Sequence, residues 1–298
     1  MLSARNINKS YGEIQVLKNL SFDVNAGEIY GIIGPDGAGK TSLFRILTTL
    51  ILADNGSATI DGLDVVKDYR QIRKIIGYMP GKFSLYQDLT VEENLEFFAT
   101  IFNTTIKENY YLIEDIYKQI EPFKNRKAGK LSGGMKQKLA LSCALIHKPT
   151  ILFLDEPTTG VDPVSRKEFW DMLMKLKAQG ITILVSTPYM DEATLCDRIA
   201  LIMNGKFLKV DTPQNIIVAY PEILWSVRTN SMHNLLHSLR SHPLIKSSFS
   251  FGETFHIAVE NTLTQEDLER YLTEKGHAEI RIKPIQATIE DCFMLLSE

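Results

Sequence analysis

Short runs of alternating apolar and polar residues open the chain. Residues 4–8 and 15–24, parted by a Tyr11-Gly12 turn, have the period of half-buried strands, and residues 28–33 form a more continuous apolar run. Glycine-rich sequence follows, after which residues 42–47 take on helical character. Residues 57–60 read as another strand before the Asp61-Gly62 turn. From Val91 to about Leu145 the spacing is helical, with helices expected over 91–102 and 110–120; Thr90 and Glu93 are placed as a capping box for the first. Residues 151–154 make the short apolar run of a strand buried in a parallel sheet. A helix over 165–178, a strand over 181–185, a helix near 189–195 and strands over 198–203 and 207–210 complete this part. Such alternation predicts a mostly parallel sheet covered on both faces.

Beyond Pro213 the order changes to helix, strand (223–228), helix (232–240), strand (253–259), helix (265–274), strand (278–284) and a last helix over 289–296. The pattern predicts a domain over residues 1–212, with a helical subdomain at about 91–145, and a small α+β domain over 213–298. No internal repeat or low-complexity segment interrupts either.

Composition narrows the classes of function. Lys and Arg number 33 against 36 Asp and Glu, a formal net charge of -3, without the basic excess of a dedicated nucleic-acid module, so no direct nucleic-acid partner is expected. Cys143, Cys196 and Cys292 lie far apart, with neither metal-ligand spacing nor a disulfide framework, and read as free thiols. His233, His237 and His256 likewise form no ligand cluster. No apolar stretch is long enough to span a bilayer, and the first residues lack a leader's apolar run, so membrane association is expected through a partner.

Gly34-Pro35-Asp36-Gly37-Ala38-Gly39-Lys40-Thr41-Ser42 matches GxxxxGK[ST] in full, between a strand and a helix. Glycines let the backbone wrap a phosphate chain with its N–H groups turned inward, and the following helix adds free N-terminal donors. Lys40 is expected to reach the β- and γ-phosphates and the Thr41 hydroxyl to coordinate Mg²⁺. The apolar run 151–154 ends in Asp155-Glu156, which puts two carboxylates at the carboxyl edge of the sheet: Asp155 for the Mg²⁺ shell and Glu156 as general base for the attacking water.

Leu131-Ser132-Gly133-Gly134-Met135 resembles the LSGGQ signature of ATP-binding cassette ATPases and stands in the expected order ahead of Asp155-Glu156. The resemblance implies a P-loop NTPase of the ABC type: a mostly parallel sheet, an antiparallel N-terminal β subdomain, a helical subdomain and a small C-terminal α+β domain. It implies ATP and Mg²⁺ as cofactors, ATP hydrolysis, and a head-to-tail cassette dimer in which the signature acts in trans on the partner's nucleotide. By the same resemblance Tyr11 stacks on adenine, Asp162 in Thr159-Gly160-Val161-Asp162-Pro163 belongs to the D-loop, and residues 85–95 meet a transmembrane partner. Thr288-Ile289-Glu290-Asp291-Cys292-Phe293 is similar to the close common to ATPases of ABC-2 type exporters. An ABC-2 type permease, a second cassette and a peripheral place on the cytoplasmic face of the cell's inner membrane are what this implies.

Three positions depart from the family pattern. Gly81 stands where the Q-loop glutamine is usual, Pro188 where the switch histidine is usual, and Asp36 where asparagine is commoner. Glycine and proline cannot supply the polar contacts of the first two, and losing a transition-state contact costs about 2.7–4 kcal/mol, roughly 10²–10³ in rate. Slow hydrolysis is therefore expected at the site built on Lys40, with nucleotide binding retained. An intact signature beside a weakened site points to the less active member of a cassette heterodimer ahead of a homodimer. The alternatives are a regulatory nucleotide-binding subunit with little turnover and a soluble cassette of translation or nucleic-acid maintenance.

Overall fold

The alternating N-terminal runs become Leu2–Tyr11 (β1) and Ile14–Val24 (β2), paired antiparallel. Asn55–Ile60 (β4) joins β1, and Leu63–Asp64 (β5) joins β4, giving an antiparallel sheet of order β2-β1-β4-β5. The computed structural model describes residues 1–297. Contacts divide the chain into two compact units, Met1–Pro213 and the remainder from Gln214.

Ile29–Ile33 (β3), Ile76–Met79 (β6), Ile151–Asp155 (β7), Thr182–Thr187 (β8), Arg198–Met203 (β9) and Lys206–Asp211 (β10) build the second sheet, in the order β10-β9-β3-β8-β7-β6. Neighbouring strands are parallel except β9 and β10. Every residue of β3, β7 and β8 is buried, which explains their continuous apolar runs: a strand covered on both faces has no polar side to alternate with. Helix Lys40–Leu47 (α1) packs on this sheet, with the Phe44 ring edge-on to Phe153 at 6.0 Å. The same core takes in Leu2, Phe22 and Ile60 of the antiparallel sheet.

After the short helix Tyr69–Ile75 (α2), the helical subdomain comprises Val91–Ile101 (α3), Ile106–Tyr117 (α4) and Gly133–Leu145 (α5). Thr90 caps α3 with Glu93 returning the bond, as expected. Helix α4 begins ahead of the expected residue 110, because Thr105 and Glu108 form a second capping box. Pro163–Ala178 (α6) follows β7. The helix expected near 189–195 is only a 3-10 turn, Glu192–Leu195, since the backbone leaving β8 turns at Pro188 and the Tyr189 N–H is taken by the Thr187 hydroxyl. Strands β5 and β6 and helix α2 were not expected; all are short, and β6 is interrupted by Gly77, so none carries a long periodic signal.

Helix Pro213–Val218 (α7) opens the second unit from Gln214 on and leads to Ile223–Arg228 (β11), Met232–Arg240 (α8), Ile245–Phe251 (β12), Thr254–Val259 (β13), Gln265–Glu274 (α9), Arg281–Ile285 (β14) and Ile289–Ser297 (α10). Strand β12 is an addition to the expected order. Its sequence, IKSSFSF, buries Ser248, so its inward face does not stand out as apolar. With β12 present the topology is a split β-α-β-β-α-β, its antiparallel sheet ordered β12-β13-β11-β14. Trp225, Val227, Leu235, Leu239, Ile257 and Leu268 fill its core. No helix among the described residues is long and apolar enough to cross a membrane.

Candidate functional site

Strand β8 lies between β3 and β7, so three chain segments leave the sheet side by side at its carboxyl edge. Ile33 is level with Thr187, and Asp155 with Ser186. The phosphate loop therefore starts next to the end of β8, and the acidic pair starts on its other side.

Gly39 holds φ at +104°, just ahead of α1, and a Cβ there would meet Leu17 Cδ2 at 2.7 Å and Val16 O at 2.8 Å. Both the backbone conformation and the space demand glycine. Lys40 is buried, with its Nζ donating to Gly34 O at 2.8 Å and Pro35 O at 3.0 Å. It also lies 3.1 Å from Glu156 Oε1 and 3.9 Å from Asp36 Oδ1. The ammonium is thus folded into the loop that would hold the phosphates. Gly34, Pro35, Asp36, Gly37, Ala38, Gly39, Lys40, Thr41 and Ser42 form one continuous cradle into α1. Tyr11, at the end of β1, stands beside it: its hydroxyl is 3.5 Å from Ser42 Oγ, its ring is half exposed, and Lys9 Nζ sits 5.7 Å from the ring centroid.

Across the edge, the buried Asp155 accepts a 2.6 Å hydrogen bond from Ser186 Oγ. The Glu156 N–H donates to Ser186 O and Oγ, both at 3.0 Å, and Glu156 itself is left-handed at φ +51°. One serine thereby fixes the first carboxylate and the backbone of the second. Ser186 was not singled out from the sequence; its only signal is a hydroxyl, next to that of Thr187, following the apolar run 183–185. Among the described residues the Thr41 hydroxyl and Asp155 Oδ2 take no protein partner, and a hydroxyl with a carboxylate is a hard-oxygen donor set suited to Mg²⁺ once phosphate oxygens and water complete it.

The departures fall at this same edge. A Cβ at Gly81 would lie 3.0 Å from Asp155 O and 3.7 Å from Glu156 Cβ, so position 81 borders the acidic pair and presents it no side chain. Pro188 directly follows Thr187, whose carbonyl accepts from the Gly34 N–H at 3.2 Å.

Leu131, Ser132, Gly133, Gly134 and Met135 lie elsewhere. Ser132 is the N-cap of α5, accepting from the Met135 N–H at 3.4 Å, and both Ser132 and Gly133 are exposed. A Cβ at Gly134 would meet Ser165 Oγ at 2.9 Å, so the signature packs against the start of α6. No hydrogen bond among the described residues joins it to the phosphate loop. Asp162 is the N-cap of α6, accepting from the N–H groups of Val164 and Ser165; these bonds hold its carboxyl below the usual range.

Comparison with known proteins agrees with this geometry. A family model described as ABC transporter matches residues 17–159. The probable multidrug ABC transporter ATP-binding protein YbhF of Escherichia coli is 38% identical over 280 residues, covering 92% of this chain and 48% of YbhF, so the chain spans about half the length of that relative. The Nod factor export ATP-binding protein I of Burkholderia lata is 35% identical over 302 residues, covering 98% of this chain and 95% of that protein. Among solved structures, a dimeric post-hydrolysis state of the ATP-binding cassette MJ0796 bound to ADP and Pi superposes with a TM-score of 0.65 at 28% identity, covering 71% of this chain and 98% of MJ0796. The sheet order, the helical subdomain, the phosphate loop on β3 and these relatives have one explanation: the chain belongs to the ABC transporter family, among its ATP-binding subunits.

Proposed function

We propose that the chain binds MgATP at Lys40, Thr41 and Asp155 and, with a second cassette, energises an ABC-2 type exporter from the cytoplasmic face of the membrane. In this reading Lys40 and the loop N–H groups hold the phosphates, Tyr11 covers the adenine, and Glu156 takes the proton of the attacking water. Bound Mg²⁺ neutralises charge on the phosphate oxygens. The names of the relatives, a multidrug transporter and a Nod factor exporter, support export as the direction.

The observation that carries the finer reading is the bare flank of Glu156. Position 81 borders the base with no side chain, and Pro188 brings no polar side-chain atom to the end of β8. Binding groups are assembled while groups that act late in hydrolysis are missing, so this site retains ATP longer than it cleaves it. The exposed Ser132 and Gly133, free of the chain's own phosphate loop, suit service to a partner's nucleotide. A heterodimer whose faster site uses the partner's phosphate loop accommodates both features. A groove of about 470 Å³ between the sheet edge and the helical subdomain, lined by Tyr78, Pro80, Leu85, Phe98, Phe102 and His147, offers the permease an apolar seat.

Steady-state ATPase activity of the chain alone and mixed with candidate partner cassettes tests this. Activity confined to a mixture, surviving Glu156→Gln here and lost on the partner's equivalent change, is expected. Robust activity alone, abolished by Glu156→Gln, would overturn the heterodimer in favour of a homodimer.

A further inference from the structure

The carboxylate of Glu192 is buried, and its two oxygens are used separately. Oε2 accepts from Thr187 Oγ1 at 2.6 Å, and Oε1 accepts from Thr158 Oγ1 at 2.7 Å. Short hydroxyl-to-carboxylate bonds in a dry interior are strong and strictly oriented. Its charge is offset by Arg166 of α6, whose Nε lies 3.6 Å from Oε1 and has no hydrogen bond of its own.

The two threonines belong to different machinery. Thr187 ends β8, and its carbonyl holds the Gly34 N–H at the entrance to the phosphate loop. Thr158 is the buried root of an exposed turn: its carbonyl accepts from the Val161 N–H, Thr159 and Gly160 are exposed, and Asp162 then caps α6. Meanwhile the segment after Pro188 is pinned. Tyr189 N–H bonds to Thr187 Oγ1 at 3.1 Å, the Arg166 guanidinium lies 4.0 Å from the Tyr189 ring centroid, and its Nη1 is 3.4 Å from Asp191 Oδ2. A segment held at these points and lacking a polar side chain at residue 188 is poorly placed to report phosphate by itself.

We propose that Glu192 is a positioning residue that transmits nucleotide occupancy from the phosphate loop to residues 158–162, along the path Gly34, Thr187, Glu192, Thr158. A shift of the loop on binding phosphate moves the Thr187 backbone, and the shared carboxylate passes that displacement to the turn preceding Asp162. The inference rests on the proposed nucleotide site and adds the route by which this chain signals to whatever faces that turn.

Amide exchange of the full chain, with and without ATP and Mg²⁺, tests it alongside nucleotide affinity in wild type, Thr158→Val, Glu192→Ala and Glu192→Gln. In the wild type, nucleotide slows exchange both at 34–42 and at 158–165. Thr158→Val and Glu192→Ala keep the affinity within about twofold and keep protection at 34–42, while nucleotide-dependent protection at 158–165 falls by about tenfold. Glu192→Gln keeps most of the coupling, because an amide can accept from one hydroxyl and donate to the other. Undiminished protection at 158–165 in Thr158→Val overturns the proposal, and that isosteric change decides the matter should Glu192→Ala fail to fold. Coupling lost in Glu192→Gln but kept in Thr158→Val also overturns it, in favour of the Arg166 ion pair. Failure of the wild type to bind ATP sinks the nucleotide site itself, a result distinct from bound ATP without protection at 158–165, which sinks only the route.

Discussion

Lys40 Nζ and Glu156 Oε1 lie 3.1 Å apart, joining the phosphate loop after β3 to the acidic end of β7 across the intervening strand. In the proposed binding mode, nucleotide has to displace this pair, together with the bonds from Lys40 to Gly34 O and Pro35 O, before the ammonium can reach phosphate. The lysine side chain is 2% exposed and the glutamate 22%, so the cost of taking both charges out of water offsets most of their attraction and leaves a net of about 1 kcal/mol.

Glu156→Gln accordingly tightens ATP binding by about threefold to fivefold in calorimetry, while removing the slow hydrolysis at this chain's own site, as loss of a general base should, and leaving the partner's site active. Lys40→Ala has the opposite effect and weakens binding by at least about tenfold, since a buried charge-assisted contact to phosphate is lost. Weaker binding in Glu156→Gln would mean that the pair does not compete with nucleotide.

Restoring the polar flank should raise turnover. Gly81→Gln and Pro188→His together are expected to increase ATP hydrolysis at this chain's own site by about tenfold or more, with little change in ATP affinity. The Cβ at 81 comes within 3.0 Å of Asp155 O, so that loop has to yield by a few tenths of an ångström, and a modest fall in melting temperature accompanies the gain. An unchanged rate in a folded double variant would assign the slow step elsewhere.

The apolar groove gives a separable test of permease docking. Phe98→Asp places a charge in the groove lined by Leu85 and Phe102, with the nucleotide-binding residues unaltered. Copurification with the permease should be lost while ATP affinity stays within about twofold. Retained association would move the docking surface to another face.

Asp291 provides the pH dependence. Burial pushes its carboxyl up, but the hydrogen bond with His256 Nδ1 at 2.8 Å and those from Thr288 N–H and hydroxyl outweigh burial and bring it below the usual range. With the folded value under the unfolded one of about 3.9, its stabilisation is fully present above that pH and fades as pH falls through the folded value. Denaturant unfolding of the C-terminal domain should therefore lose stability below about pH 4, and Asp291→Asn should be weaker at neutral pH with a flatter acid limb.

The chain's own order of residues was enough for the phosphate loop, the acidic pair, the signature and the family, because each is a local string whose chemistry depends on neighbours a few positions away. Buried runs such as 151–154 and the Thr90–Glu93 box were legible for the same reason. Strand β12 was not, since a buried serine hides its inward face, and the helix expected after Pro188 gave way to a turn held by Thr187. Only tertiary structure put Ser186 on Asp155, and Glu192 between Thr158 and Thr187. Those pairings depend on β8 threading between β3 and β7, a choice of strand order made by packing the whole sheet, and no short window of sequence carries it.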